Sequence, residues 1–171
     1  MTRMIEIKHK FTGEAIRVVD APSLAGLNLI GANLDVAELV GANLSGTNLA
    51  GGSLAVADLT EANLTGTNLA AVNLTGANLE RANLAGALLQ CANLSGANLG
   101  DANLAGANLQ GANLTGANLT GVDLQGAHLE GANLDRACLD YALLQGAFYD
   151  DNTRFPALFF HPEEKGAVHV P

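Results

Sequence analysis

The sequence predicts an all-β coil in which short extended pieces alternate with corners, and three observations support this prediction. Leucine occupies every fifth position from 24 to 144, which gives 25 consecutive leucines. Alanine fills 18 of the 25 positions two residues before these leucines, and glycine fills 16 of the 25 positions two residues after them. Aromatic residues make up only 4% of the chain, so leucine and alanine must form a narrow, uniform core.

Neither an α-helix nor a flat strand can bury residues spaced by five. On a helix, five residues rotate by about 140°, so the leucines would spiral around the whole surface. On a strand, an odd step places successive leucines on opposite faces. The period fits an extended piece in which alanine and leucine, two residues apart, point the same way. Glycine then turns the chain, because it accepts a positive φ without steric cost.

A column of glycines indicates how many five-residue units make one turn of the coil. Every member of the 20-residue series from Gly26 to Gly146 is glycine, whereas the 15-residue series from Gly26 reaches Val56 and Ala71. The pattern favours four units per turn and leaves three open, because glycine is frequent enough for such a column to arise by chance. With four units per turn, one side of the core is formed by Leu24, Leu44, Leu64, Leu84, Leu104, Leu124 and Leu144.

The run of A(N/D)LxG units over residues 24–149 resembles the pentapeptide repeat family. Known members of that family form a right-handed, four-sided β-helix. The resemblance therefore implies a right-handed quadrilateral β-helix of about six coils, roughly 29 Å tall at the usual strand spacing. The stretch TRFPALF at residues 153–159 is also similar to the tails of cyanobacterial members.

The chain divides into three predicted parts. Residues 1–20 form an N-terminal β-rich cap, residues 21–149 form the pentapeptide-repeat β-helix, and residues 150–171 form a C-terminal cap or tail. Caps are expected because the end of a stack exposes strand edges that invite further pairing. The tail has two open interpretations, an end cap or a partner-docking surface. Leu143 and Phe148 occupy outward asparagine positions, and we expect the tail to fold over them.

Composition and charge argue against several classes of protein. The net charge of −9 disfavours direct nucleic-acid binding through phosphate contacts. The longest uncharged stretches are rich in Asn, Ser, Thr and Gly, so no membrane helix is predicted. The N-terminal segment lacks an uninterrupted apolar run, and we expect a cytoplasmic protein without a signal peptide. Cys91 and Cys138 fall on different sides and are expected to be free thiols.

No group of residues resembles a catalytic centre, and the sequence predicts that the protein is not an enzyme. The four histidines, at positions 9, 128, 161 and 169, are not combined with cysteines or paired carboxylates at the spacing of a metal site. No phosphate-binding glycine loop occurs, and nothing assembles a nucleophile with a base and an oxyanion donor. No catalytic residue, cofactor or metal is therefore expected.

The outward charges are predicted to lie mainly on one side. Sorting them with a period of 20 residues places six carboxylates on or beside that side, with Arg81 as the only opposing charge, a net charge of −5. Glu61, Arg81 and Asp101 share one column, so the guanidinium is expected between two carboxylates. This candidate acidic interaction face has two open interpretations, a binding surface or a solvated one. It consists of Glu38, Asp58, Glu61, Glu80, Asp101 and Asp140.

Two functional hypotheses follow. The leading one is a non-enzymatic scaffold that presents rigid flat faces to an unidentified protein partner. The alternative comes from the resemblance, because some family members imitate duplex DNA and bind or protect DNA gyrase. The repeats here lack a loop insertion and the tail is interrupted by prolines, unlike several gyrase-protecting members, which disfavours the alternative. A lattice-binding surface, as for ice, is a weaker hypothesis still, since the threonines are scattered over the sides.

The outward residue Leu88 has two open interpretations, a contact residue or a tolerated exposed leucine.

Overall fold

The structure is a computed structural model that describes residues 4–158 and 161–171. The first two strands form an antiparallel hairpin, and the first of them also pairs with a short third strand. The last two strands pair in parallel. In chain order the elements are β1 (Met4–His9), β2 (Ala15–Asp20), β3 (Ala37–Glu38), β4 (Phe148–Tyr149), a 3₁₀ helix (Pro162–Lys165) and β5 (Val168–His169).

The repeat region is a β-helix made of single-residue parallel bridges. Each bridge joins a residue to the one 20 positions further on, from Asn28 with Asn48 to His128 with Phe148. Four five-residue units therefore complete one turn, which we call a coil, and the alternative of three units per turn is excluded. Backbone hydrogen bonds link each coil to the one before it and the one after it. For example, Leu84 N–H donates to Asn103 O at 2.7 Å in the following coil, and Asn83 N–H donates to Ala62 O at 2.9 Å in the preceding one.

The core is a continuous column of leucine flanked by alanine. All 25 repeat leucines are buried, and the most exposed of them, Leu24, has only 8% of its surface accessible. The inward assignment of these leucines is thus confirmed. Burying each one contributes about 1.5–3 kcal/mol, and the coil-to-coil hydrogen bonds satisfy the backbone that this burial removes from water. Thr47 and Thr67 are also fully buried, and their hydroxyls donate to Leu24 O and Leu44 O, both at 2.8 Å.

The corners explain why glycine recurs two residues after each leucine. Every such position has a positive φ; 16 of them are glycine and nine are other residues. At Gly86, for example, φ is 65° and the turn closes through Ala87 N–H donating to Leu84 O at 2.9 Å. A residue with a side chain pays a steric cost in this conformation. The nine are Val36, Val56, Glu61, Ala71, Arg81, Cys91, Asp101, Arg136 and Tyr141.

Val56 is the clearest test of that cost, because it is β-branched and has a φ of 58°. We expect Val56→Gly to stabilise the protein by up to about 1 kcal/mol, since relief of left-handed strain exceeds the added flexibility of the unfolded chain. Val40→Gly is the control, because Val40 is similarly exposed, at 50% against 46%, and lies outside the left-handed region. Chemical denaturation should show opposite signs for the two variants; a loss of stability in both would contradict the strain argument.

The N-terminal hairpin packs on the first coil. Ile7 of β1 is buried against the core, and Lys10 N–H donates to Val36 O at 2.9 Å. The ammonium group of Lys10 also donates to Val56 O in the second coil. The hairpin thus contacts both the end of the core and a corner of the coil.

The C-terminal tail continues the stack beyond the last repeat. Asn133 bridges to Arg154, and Gly146 N–H donates to Gly166 O at 2.7 Å. Phe148 is partly covered, because it pairs with Val168 and stacks on His128 with ring centroids 4.9 Å apart. The expectation that the tail covers Leu143 is wrong.

Leu143 remains exposed because the tail contacts the last coil on either side of it. The bridge to residue 154 lies before Leu143, and the hydrogen bond from Gly146 and the pairing of β4 with β5 lie after it. Half of the surface of Leu143 is accessible as a result. Phe159 of the TRFPALF stretch lies outside the described residues.

Asp150 connects the tail to the coil above it. Its Oδ1 accepts hydrogen bonds from Gly131 N–H at 2.8 Å, from the Thr153 hydroxyl at 2.9 Å and from Asn152 N–H at 3.1 Å. The bond from Gly131, with smaller contributions from Thr153 and Asn152, lowers the pKa of Asp150 from 3.8 to about 2. The carboxylate therefore accepts the hydrogen bond of Gly131 N–H, for which no further regular coil supplies a backbone carbonyl.

This shift predicts a loss of tail stability in acid. A depressed pKa in the folded state contributes stability that is present above the unfolded value of 3.8 and is lost as pH falls toward about 2. We expect the thermal midpoint of the wild type to fall more steeply across this window than that of Asp150→Asn, which cannot ionise. Asp140→Asn, at an exposed carboxylate, serves as the control and should retain the wild-type slope. Equal slopes for all three proteins would contradict the linkage.

Candidate functional site

Asparagine side chains hold the outward surface in place. All 16 asparagines that precede a repeat leucine accept a hydrogen bond from the backbone N–H two residues further on. Asparagine is suited to this role because its short side chain can bond to its own turn. These bonds tie each of the 16 side chains to the backbone of its own corner.

Some of these asparagines also form ladders between coils. Asn98 donates to Asn78 Oδ1 at 3.0 Å, and Asn118 donates to Asn98 Oδ1 at 2.9 Å. This column begins with Glu38 and Asp58, which are bridge partners, and Asp58 in turn bridges to Asn78. Hydrogen-bonded amides therefore continue the line of the first two carboxylates.

The carboxylates predicted to share a side do lie on adjoining columns of the β-helix. Glu80 lies in the column next to the one that contains Asp58 and Asn98, and its Oε2 accepts from Asn98 Nδ2 at 3.4 Å. The corner column, which contains Glu61 and Asp101, is joined to the column of Glu80 and Asp140 by backbone hydrogen bonds. Glu61 N–H donates to Glu80 O, and Gly121 N–H donates to Asp140 O. Asp58 and Glu80 are partly buried and the other four are exposed. We call this surface the acidic side, consisting of Glu38, Asp58, Glu61, Glu80, Asp101 and Asp140.

Arg81 makes different ion pairs from those predicted. Its Nη2 lies 3.0 Å from Glu61 Oε1, as expected, but its second partner is Glu80 Oε1 at 3.9 Å rather than Asp101. The Oδ1 atom of Asp101 occupies the space that a Cβ on Gly121, in the next coil, would fill. Because Gly121 has no side chain, Asp101 can lean onto the following coil, away from the guanidinium.

The remaining outward surface of the central coils carries no charge. From position 43 to position 116 the charged residues are Asp58, Glu61, Glu80, Arg81 and Asp101, and all five lie on the acidic side. Bridge partners on the other columns are asparagine, serine or leucine over the same stretch. The central coils are thus acidic on one side and neutral on the other three.

Leu88 and Cys91 interrupt the polar surface opposite the acidic side. Leu88 replaces an asparagine between its bridge partners Asn68 and Asn108 and is 41% exposed. Cys91 is an exposed free thiol, as is Cys138, which confirms that the two cysteines do not form a disulfide.

Three of the four histidines, His128, His161 and His169, each pair with a single carboxylate. His128 Nδ1 lies 3.0 Å from Glu130 Oε1, and His169 Nε2 lies 2.8 Å from Asp151 Oδ1. Burial raises the pKa of Glu130, but hydrogen bonds from His128, the backbone and Gln110 outweigh burial and lower it overall. Within residues 4–158 and 161–171, no three His, Cys, Asp or Glu side chains are grouped to hold a metal ion.

A cavity of about 830 Å³, which the sequence analysis did not predict, lies at the C-terminal end of the coil. The last coil forms one wall with residues 135–141, and the tail contributes Lys165 and residues 156–158. Tyr141, where most corners have glycine, was the one residue whose type could have drawn attention to this end. None of the helices in the described part of the chain has the length and apolar character needed to cross a membrane.

The repeating bridges, leucine core and left-handed corners define a solenoid of the β-helix type. The chain belongs to the pentapeptide repeat family, whose model matches eight copies between residues 23 and 148. None of the curated protein sequences matches the chain.

Several solved structures are similar to this chain. Rfr23, a pentapeptide repeat protein from the cyanobacterium Cyanothece 51142, is 32% identical with a TM-score of 0.54, over 77% of this chain and 89% of that one. HetL from Nostoc sp. strain PCC 7120, involved in heterocyst differentiation regulation, is 28% identical with a TM-score of 0.49, over 84% and 81%. QnrB1, a plasmid-mediated fluoroquinolone resistance protein, is 19% identical with a TM-score of 0.46, over 84% and 90%.

Proposed function

We propose that the chain is a non-enzymatic scaffold that binds a protein partner through its acidic side. The observation that carries this proposal is the segregation of charge, since every charged residue between positions 43 and 116 lies on that side. A partner with a basic surface would be attracted to this one side of the coil, because the other three sides of the central coils are neutral. The class of partner that fits best is therefore a protein with a flat, lysine- or arginine-rich surface.

The backbone of the acidic side supports a binding role. Glu61, Arg81 and Asp101 all have φ values of 55–58°, so charged side chains are kept at corners where glycine would be less strained. The ladder through Asn78, Asn98 and Asn118 holds the adjoining column in fixed positions. A preformed surface loses little conformational freedom on binding, which favours affinity.

The proposal includes the finer features of the architecture. We propose a right-handed, quadrilateral helix of about six coils, with residues 1–20 and 150–171 as caps at its two ends. The packing of Ile7 on the core and the bonding of Asp150 to Gly131 support the two caps.

We also propose a cytoplasmic location, which the two free thiols support.

A paired charge reversal tests the role of the acidic side. Partners should be captured from the host's lysate with the wild type, with Glu61→Lys/Asp101→Lys, and with Glu14→Lys/Asp135→Lys. The second double variant changes the same residue types by the same charge at positions off the acidic side. We expect a direct partner to be lost only with the first double variant, and its binding to weaken as salt increases. Equal loss with both variants, or retention with both, would contradict the proposal.

A DNA-mimicking regulator or protector of DNA gyrase is the second candidate, favoured by the line of carboxylates along one side of a rod. Among the described residues, the proline-interrupted tail contains one helix, a 3₁₀ helix of four residues, and it gives this candidate no further support. Micromolar protein should inhibit supercoiling by gyrase or protect it from a quinolone, and Glu61→Lys/Asp101→Lys should abolish the effect. Supercoiling that is unchanged with and without the quinolone would remove this candidate.

A further inference from the structure

We draw no further inference here: the strongest candidate, the cavity of about 830 Å³ at the C-terminal end of the coil between residues 135–141 and 156–158, adjoins residues 159–160, which lie outside those the structure describes, and nothing in the structure shows what covers it.

Discussion

Leu84→Lys should abolish the cooperative unfolding transition of the protein. Leu84 is completely buried in the middle of the core, with coils stacked above and below it. The substitution forfeits about 1.5–3 kcal/mol of apolar burial and places an unpaired ammonium where neither water nor a carboxylate can reach it, which costs several kcal/mol more. Because each coil packs only on its neighbours, a break in the middle also separates the two halves of the stack.

The matched control for this experiment is Leu88→Lys. The substitution is the same and lies four positions along the chain, but Leu88 is 41% exposed and points outward. We expect its thermal midpoint to remain close to that of the wild type, because a lysine side chain at this position can reach solvent. Circular dichroism melts of both variants measure the effect, and similar melts would overturn the assignment of inward and outward leucines.

Asn98→Ala should produce the second largest loss of stability, because Asn98 belongs to a ladder. Its Oδ1 accepts from Gly100 N–H at 3.2 Å and from Asn118 Nδ2 at 2.9 Å, and its Nδ2 donates to Asn78 Oδ1 at 3.0 Å. Loss of the turn bond costs about 1 kcal/mol, and the partners left without a bond raise the total to roughly 2–3 kcal/mol.

Asn108→Ala isolates the contribution of the ladder. Asn108 accepts the same turn bond, from Gln110 N–H at 3.1 Å, but its neighbours in the column are Leu88 and His128, which replace the amides of a ladder. We expect Asn108→Ala to cost about 1 kcal/mol, so that urea denaturation separates the two variants by about 1–2 kcal/mol. An equal loss in both would mean that the amides contribute only through their turns.

The period of five predicted the coil because it concerns interactions that repeat identically. Each leucine encounters the same neighbours, so the burial of Leu84 follows from the same reasoning as that of Leu44 or Leu124. The glycines mark the corners because glycine suits a positive φ. They do not by themselves select 20 residues per turn over 15, since Val56 and Ala71 also have a positive φ. The fold could therefore be predicted from which residue types recur at each position of the five-residue unit, because the backbone geometry repeats regularly.

Features that depend on single side chains could not be predicted in the same way. Column positions place Arg81 between Glu61 and Asp101, yet they do not reveal that Asp101 can lean onto the bare Cα of Gly121. The position of Leu143 on an outward slot suggested a covering segment, but the path of the tail depends on residues 150–171, which lack the repeat. The acidic side was predictable as a location, because the 20-residue period fixes its columns, whereas its ion pairs depend on rotamers.

The 20-residue offset between bridge partners within the repeat also constrains how the gene can change in length. Removal or duplication of 20 codons within the repeat would leave every surviving residue on its original side, so the surface pattern would be shortened or lengthened without being scrambled. A change of five codons would preserve the leucine core equally well but would rotate everything downstream by one side. Evolution can therefore vary the reach of this molecule and the direction its charges face as two separate properties.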